Sequence, residues 1–129
     1  MPPPGLDLDA RLAQMGRMLI FKIFRGPEWA DLLAQGTTAG APVDLADGFI
    51  HFSTGAQARE TAAKHFAGAD GLVLAACDAT AFGPDLKWEI SRGGAEFPHL
   101  YRALALADVL WARPLSLENG AHRFPDEIQ

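Results

Sequence analysis

The sequence predicts an α+β protein with a mixed, largely antiparallel sheet and two main helices packed on it. Three observations favour this class. About five short runs are rich in aromatic and β-branched residues and are separated by glycine- and proline-containing breaks, as strands are. Two stretches in the first half of the chain have the apolar spacing of helices. Neither a regular β-α-β alternation nor a glycine-rich phosphate motif occurs, which argues against Rossmann and P-loop folds.

The length and composition indicate one folded domain. The chain has 129 residues, of which 49% are hydrophobic and 21% charged. We expect residues 1–17 to be a flexible N-terminal extension, residues 18–125 to form the domain and residues 126–129 to be a tail. Residues 1–17 lack the apolar core of a signal peptide, and no apolar run approaches the ~20 residues of a membrane span. We therefore expect a cytoplasmic protein, and its one cysteine, Cys77, allows no internal disulfide.

Charge and motif content argue against several classes of function. Acids outnumber bases 16 to 11 without any basic run, so a nucleic-acid-binding face is not expected, although a local pocket for a small phosphorylated ligand stays open. The four histidines lack HxH and HExxH spacing, and the single cysteine cannot form CxxC, so no metal site is expected. The GxSxG signature of many Ser-His-Asp hydrolases does not occur either.

Local patterns place the elements along the chain. In chain order we predict a strand over 18–24, a helix over 27–36, a strand over 49–53, a helix over 54–67, and strands over 71–77, 86–91, 100–106 and 109–115. Residues 37–48 and 92–99 are predicted as loops because of their glycine, proline and polar content. The run 71–77 is apolar throughout, as expected of a central strand buried on both faces.

Polar side chains on two predicted strands could share one cleft. Because side chains alternate along a strand, His51 and Ser53 lie on the same face. Lys87, Glu89 and Ser91 lie together on the polar face of a later strand. If the two faces meet, an imidazole, two hydroxyls, an ammonium and a carboxylate converge, which suits binding of a sugar or phosphate and activation of a hydroxyl. The alternative is a solvated sheet face, which antiparallel sheets often have.

Two arginines could complete such a site. Arg25 ends the first strand and could form a bidentate contact with a phosphate or carboxylate, or it could be an ordinary exposed arginine. Arg59 projects inside the predicted apolar stripe of the second helix. Either its stem covers the edge of the core or its head reaches the cleft beside His51. The predicted stripe consists of Ala56, Ala62, Ala63, Phe66 and Ala67.

Three other residues are assigned by position. Thr54 begins the second helix, because Thr54 and Gln57 have the spacing of a capping box. His65 projects opposite the apolar stripe and is predicted as a surface residue. His99 ends the 92–99 loop, whose two glycines could form either a mobile lip over a ligand or a plain surface loop.

Several segments carry a resemblance to a known bacterial family. They are residues 23–25 with Trp29, 44–54, 60–63 with 65–66, 86–89, 92–94 and 97–101. Together they resemble the domain-of-unknown-function family numbered 952, from about Met18 to Pro125. The chain is identified as a member of that family on these motifs, and the family implies no established activity.

A more distant likeness implies a function. The chain resembles the opening of the NAD-dependent RNA 2′-phosphotransferase in two places. They are the first strand with Gly26, Trp29, Leu33 and Gly36, and the later residues 50–52. That enzyme belongs to the ADP-ribosyltransferase superfamily, whose fold is a split mixed sheet that grips NAD in a cleft. The resemblance therefore implies an ADP-ribosyltransferase-like fold with NAD as cofactor. Its RNA-binding basic residues have no clear counterpart here, so RNA is not the expected substrate.

The resemblance also implies roles for residues. By position, Arg25 would contact the cofactor, His51 with Ser53 and Thr54 would form the second-strand element, and Glu89 would be the catalytic carboxylate. His51 is the second expected catalytic residue. Lys87 and Arg59 join Arg25, Ser53 and Thr54 as the expected cofactor-binding residues.

Three functions are consistent with the sequence. The first is NAD-dependent ADP-ribosyl transfer or hydrolysis acting on a small molecule or protein. The second is binding of a nucleotide or other small ligand in the same cleft without chemistry. The third is a protein-interaction domain whose polar strand faces are merely solvated. The sequence carries no signal for the oligomeric state.

Overall fold

Ten β-strands and three α-helices form within residues 18–126 and 128, the part of the chain that the computed structural model describes. The strands are β1 (Leu19–Phe24), β2 (Thr37–Thr38), β3 (Ile50–His51), β4 (Ser53–Thr54), β5 (Leu72–Asp78), β6 (Leu86–Ile90), β7 (Glu96–Leu100), β8 (Leu104–Ala105), β9 (Val109–Glu118) and β10 (Ala121–Arg123). The helices are α1 (Gly26–Gln35), α2 (Pro42–Asp47) and α3 (Gly55–His65). The extension expected over residues 1–17 lies outside the described residues, as do residues 127 and 129 of the expected tail.

The strands form three sheets. The largest has the order β10-β9-β5-β1-β4, a second has the order β3-β7-β6, and β2 pairs with β8. Every pairing among the described residues is antiparallel. The α+β class and the antiparallel character are thus confirmed, whereas the parallel pairs that a mixed sheet requires do not occur in this part of the chain. The likeness to the ADP-ribosyltransferase fold stays a prediction.

The buried core lies on both faces of β1 and β5. Ile20 and Phe24 pack in one apolar cluster, and Phe21 and Ile23 pack in another on the opposite face. β5 is buried along most of its length, as predicted for the central strand. Lys22 lies on the same face of β1 as Ile20 and Phe24, because side chains alternate along a strand. Its ammonium group therefore lies on the face that packs in the first apolar cluster.

The strand predicted over 49–53 is divided at Phe52. Residues before it pair with β7, where Ile50 lies opposite Leu100, while residues after it pair with β1. The backbone N–H of Phe52 donates a hydrogen bond to the carbonyl oxygen of Pro98 at 3.0 Å. This switch of partners joins two sheets. It leaves the end of β1 beyond Phe21 without β4 as a neighbour, and a cleft opens there.

Both predicted loops contain regular structure. The segment 37–48 contains β2 and α2, and the segment 92–99 contains most of β7. α2 has local signals, since Pro42 occupies its first turn and Gly48 ends it at φ +86°. Its six residues are too few to show a helical period, which is why the pattern indicated a loop. β7 contains Pro98, which normally argues against a central strand.

The predicted apolar stripe of the second helix is only partly right, since Ala62 is buried and Phe66 packs against the apolar cluster that contains Phe21 and Ile23. The buried residues of α3 are Ala58 and Ala62, whereas Ala56, Ala63 and Ala67 are not buried. The helix is therefore rotated relative to the predicted face, because its alanines give no strong hydrophobic contrast. Its beginning is as predicted: the hydroxyl of Thr54 accepts from the backbone N–H of Gln57 at 3.2 Å.

Cys77 is buried on β5, and burial raises the pKa of its thiol to about 12. The burial of Cys77 agrees with the prediction that residues 71–77 form a buried central strand. None of the helices within the described residues is long and apolar enough to cross a membrane.

Candidate functional site

A cleft of about 490 Å³ opens beside the end of β1. Its walls come from β1, the starts of α1 and α2, the β3–β4 segment, α3 and β7. Charged and polar side chains from these distant parts of the chain meet here. The ionisable residues that line it are Lys22, Arg25, Glu28, Asp44, Asp47, His51, His65 and His99.

Asp44 on α2 organises one side of the cleft. Only 1% of its surface is exposed, and each carboxylate oxygen accepts two hydrogen bonds. Oδ2 accepts from the Lys22 ammonium at 2.7 Å and from the backbone N–H of Ala41 at 2.7 Å. Oδ1 accepts from the ring Nδ1 of His51 at 2.5 Å and from the backbone N–H of His51 at 3.1 Å. The carboxylate thus fixes a buried ammonium and an imidazole relative to each other.

The electrostatics of Asp44 follow from these contacts. Burial raises its pKa, but the hydrogen bond from His51, the charge of Lys22 and the remaining hydrogen bonds outweigh burial and lower the pKa to about 2. The carboxyl is therefore ionised over the physiological range. Burying an ammonium–carboxylate pair costs desolvation energy and is weak evidence for a role in stability. Groups of this kind beside a cleft indicate a functional site.

Gly40 provides the space for this carboxylate. Its φ is +108°, and a Cβ atom at this position would lie 2.5 Å from both Cβ and Oδ2 of Asp44. We expect Gly40→Ala to lower the free energy of unfolding by at least about 2 kcal/mol, since backbone strain adds to displacement of Asp44. Urea unfolding measures this.

The matched control for Gly40→Ala is Gly48→Ala. Gly48 also has a positive φ, +86°, but a Cβ atom there would meet nothing within 4 Å in the described part of the chain beyond its immediate neighbours. Backbone strain alone should then lower the free energy of unfolding by about 1 kcal/mol. Equal losses in the two variants would contradict the account.

His51 lies between two carboxylates. Its Nδ1 contacts Asp44, and its Nε2 lies 2.9 Å from Oδ2 of Asp47, whose side chain is 46% exposed. A neutral imidazole carries one N–H, so both contacts are hydrogen bonds only when the ring carries two protons. With Nδ1–H held by Asp44, loss of the second proton leaves Nε2 as an acceptor directed at the exposed side. The arrangement is that of a histidine oriented for proton transfer.

Arg25 lies exposed at the rim of the cleft. Its guanidinium lies over the ring of Phe66, 4.8 Å from the ring centroid, and has no ion pair or hydrogen bond with any other described residue. The carboxylate of Glu28 accepts from the backbone N–H of Arg25 at 2.9 Å, so it is engaged at the start of α1. The guanidinium therefore keeps its full set of donors for a ligand.

Ser53 and Thr54 have different surroundings. Ser53 lines the cleft and is buried; its hydroxyl lies 3.0 Å from the hydroxyl of Thr61 on α3, which also lines the cleft. Thr54 caps α3 and is not a lining residue. The structure therefore brings His51, Ser53 and Arg25 together, with Lys22, Asp44, Asp47 and Thr61 beside them.

Glu89 does not line the cleft itself but contacts His99, which does. It is on the same face as His51, because His51 pairs with His99 across β3 and β7, and the carboxylate of Glu89 contacts the ring of His99. Glu89 Oε1 accepts from Nδ1 of His99 at 2.8 Å and from the hydroxyl of Tyr101 at 2.7 Å. Glu89 itself is not among the lining residues, whereas His99 is. The two proposed catalytic residues are connected through His99 without touching.

Lys87 and Arg59 are not lining residues of the cleft. The Lys87 ammonium lies over the Tyr101 ring, 5.2 Å from its centroid. The Arg59 guanidinium donates to the carbonyl oxygen of Ile128 at 3.2 Å and lies over the ring of Phe124. His65, predicted as a surface residue, is exposed but also lines the cleft, because α3 is rotated from its predicted orientation.

Sequence reasoning missed Asp44, Lys22 and His99 as site residues. Asp44 falls in a predicted loop, and its burial depends on partners far away in the chain. The one available signal was Lys22: strand alternation puts this lysine on a buried face, and a buried ammonium requires a carboxylate partner. No group of three or more His, Cys, Asp or Glu side chains within the described residues could hold a metal ion. Arg25, Ser53 and Thr61 are lining residues whose donor groups could contact a cofactor.

A protein-family model described as a protein of unknown function, DUF952, matches residues 23–112. The match covers well over half of the chain. The chain belongs to the DUF952 family. This confirms the family predicted from the motifs, over a narrower range than residues 18–125. Arg25, Asp44, His51 and His99 all fall within the matched range of this DUF952 protein.

The DUF952 chain is similar to the protein CC0527 from Caulobacter crescentus. The crystal structure of CC0527 has a TM-score of 0.82 and 52% sequence identity, covering 85% of this chain and 97% of that one. Its solution NMR structure has a TM-score of 0.73 and 54% identity, covering 81% and 90%. A comparison with curated proteins finds no match. These comparisons assign no activity and give no support to the likeness to ADP-ribosyltransferases.

Proposed function

We propose that the cleft binds a small anionic ligand of nucleotide size, with His51 placed to transfer a proton. The observation that carries the proposal is the unpaired guanidinium of Arg25 at the rim of a cleft whose carboxylates are already engaged. NAD and other nucleotides are the ligand class that this combination favours.

The charges in the cleft support an anion. Asp44 is paired with the Lys22 ammonium and accepts a hydrogen bond from His51, Asp47 contacts His51, and Glu28 caps the backbone of α1. The guanidinium of Arg25 is a strong cation without a carboxylate partner among the described residues. Its planar arrangement of N–H donors suits a bidentate contact with a phosphate. Arg25 also immediately precedes α1, whose first N–H groups favour negative charge.

The size of the cleft supports a small molecule. Ligand sites commonly have volumes of roughly 300–1,000 Å³ and combine apolar walls with a few convergent polar groups. The cleft has about 490 Å³, with Phe21, Ile23, Phe52, Phe66 and Phe97 as apolar walls. A nucleotide or a similar phosphorylated compound fits both the volume and the mixed lining.

His51 supplies the acid–base group. Asp44 holds its Nδ1, which fixes the ring and leaves Nε2 to exchange a proton with the ligand when the exposed Asp47 moves off. The buried hydroxyl of Ser53 lies on the same face of this segment. A ligand whose phosphate is held by Arg25 therefore presents its other groups to a histidine.

ADP-ribosyl transfer is the specific reaction to be tested within this class, since the sequence likeness implies it. In that reaction the bond between the ribose carbon and the nicotinamide nitrogen breaks, and water or an acceptor adds to the same carbon. Glu89 would support this reaction through His99 rather than by contact with the ribose. Non-catalytic nucleotide binding uses the same residues without bond cleavage.

The test is calorimetric titration of the full chain with NAD, ADP-ribose and inorganic phosphate. We expect binding of at least one of these, and Arg25→Gln should weaken it roughly 10- to 100-fold, because a charge-assisted hydrogen bond contributes about 1.5–3 kcal/mol. Arg123→Gln is the matched control. Arg123 lies on β10 with its side chain 73% exposed, and it is not a lining residue of the cleft.

The outcomes separate the candidate functions. Nicotinamide release from NAD, lost in His51→Gln, favours ADP-ribosyl transfer or hydrolysis. Binding without release favours a nucleotide-binding protein. If none of the three compounds binds, or if Arg123→Gln weakens binding as much as Arg25→Gln does, the proposal is wrong and a protein-interaction role becomes the better hypothesis.

A further inference from the structure

His99 is a buried histidine with one nitrogen engaged and the other without a partner. It is 4% exposed and lines the cleft. Its Nδ1 contacts Glu89 at 2.8 Å, whereas its Nε2 has no hydrogen-bond partner within the described part of the chain. A buried polar atom without a partner costs free energy, so each instance needs an explanation.

The ionisation state of the Glu89 carboxyl determines which ring nitrogen of His99 carries the proton. Hydrogen bonds from Tyr101 and from His99 lower the pKa of the Glu89 carboxyl, so it is an ionised acceptor at neutral pH. An ionised carboxylate cannot donate, and Nδ1 of His99 must therefore be the donor. In the neutral ring this leaves Nε2 as an acceptor with a free lone pair.

The ring of His99 lines the cleft, and its Nε2 is itself buried. Glu89 lies outside the cleft, and Nε2 lies on the ring edge away from the Nδ1 contact. The ring of Phe49 stacks on one face of His99 with centroids 4.1 Å apart, and the ring of His51 meets it edge-on at 5.3 Å. Of these two neighbours only His51 lines the cleft. Because Nε2 is buried, a ligand can contact it only if a neighbouring side chain moves, and we expect that side chain to be His51.

We infer that His99 is a second ligand-binding residue of the cleft and that Glu89 positions its ring so that Nε2 is a hydrogen-bond acceptor. The ligand then has a hydroxyl or N–H group that donates to Nε2, in addition to its anionic group. This inference rests on the proposed function and narrows the ligand to phosphorylated compounds with a hydrogen-bond donor, such as sugar phosphates and nucleotides. Glu89 is then a positioning residue, since it acts through His99.

The first test is the proton position on His99 in the full chain. Long-range proton–nitrogen correlation spectra of histidine-labelled protein at neutral pH should show His99 with Nδ1 protonated and Nε2 bare. Glu89→Gln should relax this preference, because the amide can either accept from or donate to Nδ1. In the wild-type protein, Nε2 should respond to ribose 5-phosphate but not to methyl phosphate. This last readout does not depend on any variant folding.

The second test is calorimetric affinity for the same two probes. His99→Phe keeps a ring against Phe49 and removes Nε2, so ribose 5-phosphate should lose roughly 10-fold in affinity, the equivalent of one hydrogen bond, while methyl phosphate changes by less than about twofold. Equal losses for both probes, or a wild-type His99 with Nε2 protonated and Nδ1 bare, would overturn this inference and leave the anion site standing. Failure of both probes to bind wild-type protein would overturn the proposed function together with this inference.

Discussion

Asp44→Ala should lower the free energy of unfolding by about 3–5 kcal/mol. Removing one member of a buried ion pair leaves the other charge uncompensated, and here Lys22 would be left with a side chain only 7% exposed. The substitution also removes the acceptor for the backbone N–H groups of Ala41 and His51. Chemical unfolding monitored by circular dichroism measures the loss.

The control for Asp44→Ala is Asp31→Ala. Asp31 is an exposed aspartate on α1, and its replacement should change the free energy of unfolding by less than about 0.5 kcal/mol. A loss below about 1 kcal/mol in Asp44→Ala would contradict the buried position of the carboxylate.

The ionisation of Asp44 should make stability fall steeply in acid. Its pKa is about 2 in the folded protein against 3.8 as the ordinary value. On acidification the unfolded chain binds this proton first, so the stabilisation is fully present well above pH 4 and is lost as the pH falls from about 4 to about 2. Its magnitude is about 2 kcal/mol at neutral pH, from the pKa difference alone.

The acid dependence is measured by urea unfolding of wild-type protein and Asp44→Asn at several pH values between about 2 and 6, a range that covers the expected loss between the ordinary pKa of 3.8 and the folded-state pKa of about 2. Asparagine does not titrate, so the variant should start less stable and lose less stability in acid. Glu89 and Asp108 also have lowered pKa values and add the same slope to both proteins. Parallel curves for the two proteins would show that Asp44 is not the source of the dependence.

Local patterns were sufficient for the strands with simple periodicity. β1 and β5 were predicted at nearly their observed bounds, because aromatic, β-branched and continuously apolar runs determine burial without distant information. The common face of His51 and Ser53 also followed from alternation, and both line the cleft.

Features that depend on distant partners could not be predicted in the same way. The break at Phe52 changes the strand partner from β7 to β1, and nothing in the residues around Phe52 signals which strand they meet. From the sequence alone, Asp44 looks like an ordinary aspartate in a loop. Its role becomes visible only from its contacts with Lys22 and His51 in the folded chain. The buried face of α3 could be predicted only in part, because alanines on several sides of a helix give little hydrophobic contrast.

Buried charged and polar groups from three separate elements meet beside the cleft. Lys22 is positioned by β1, Asp44 by the short helix α2 and His51 by β3 of the three-stranded sheet. An apolar substitute would pack a core at a lower desolvation cost than this cluster does. The proposed binding of an anionic ligand would account for this cluster, with Arg25 as the charge that such a ligand meets.

Amide chemical-shift mapping of the full, nitrogen-labelled chain during titration with ADP-ribose would show whether the cleft is the ligand-binding site. We expect saturable shifts centred on Arg25, Ala41, His51 and Ser53, the residues around the cleft, and a much weaker response in Arg25→Gln. Shifts that cluster on β9 and β10, away from the cleft, or spectra that stay unchanged in ADP-ribose, phosphate and ribose 5-phosphate alike, would contradict it.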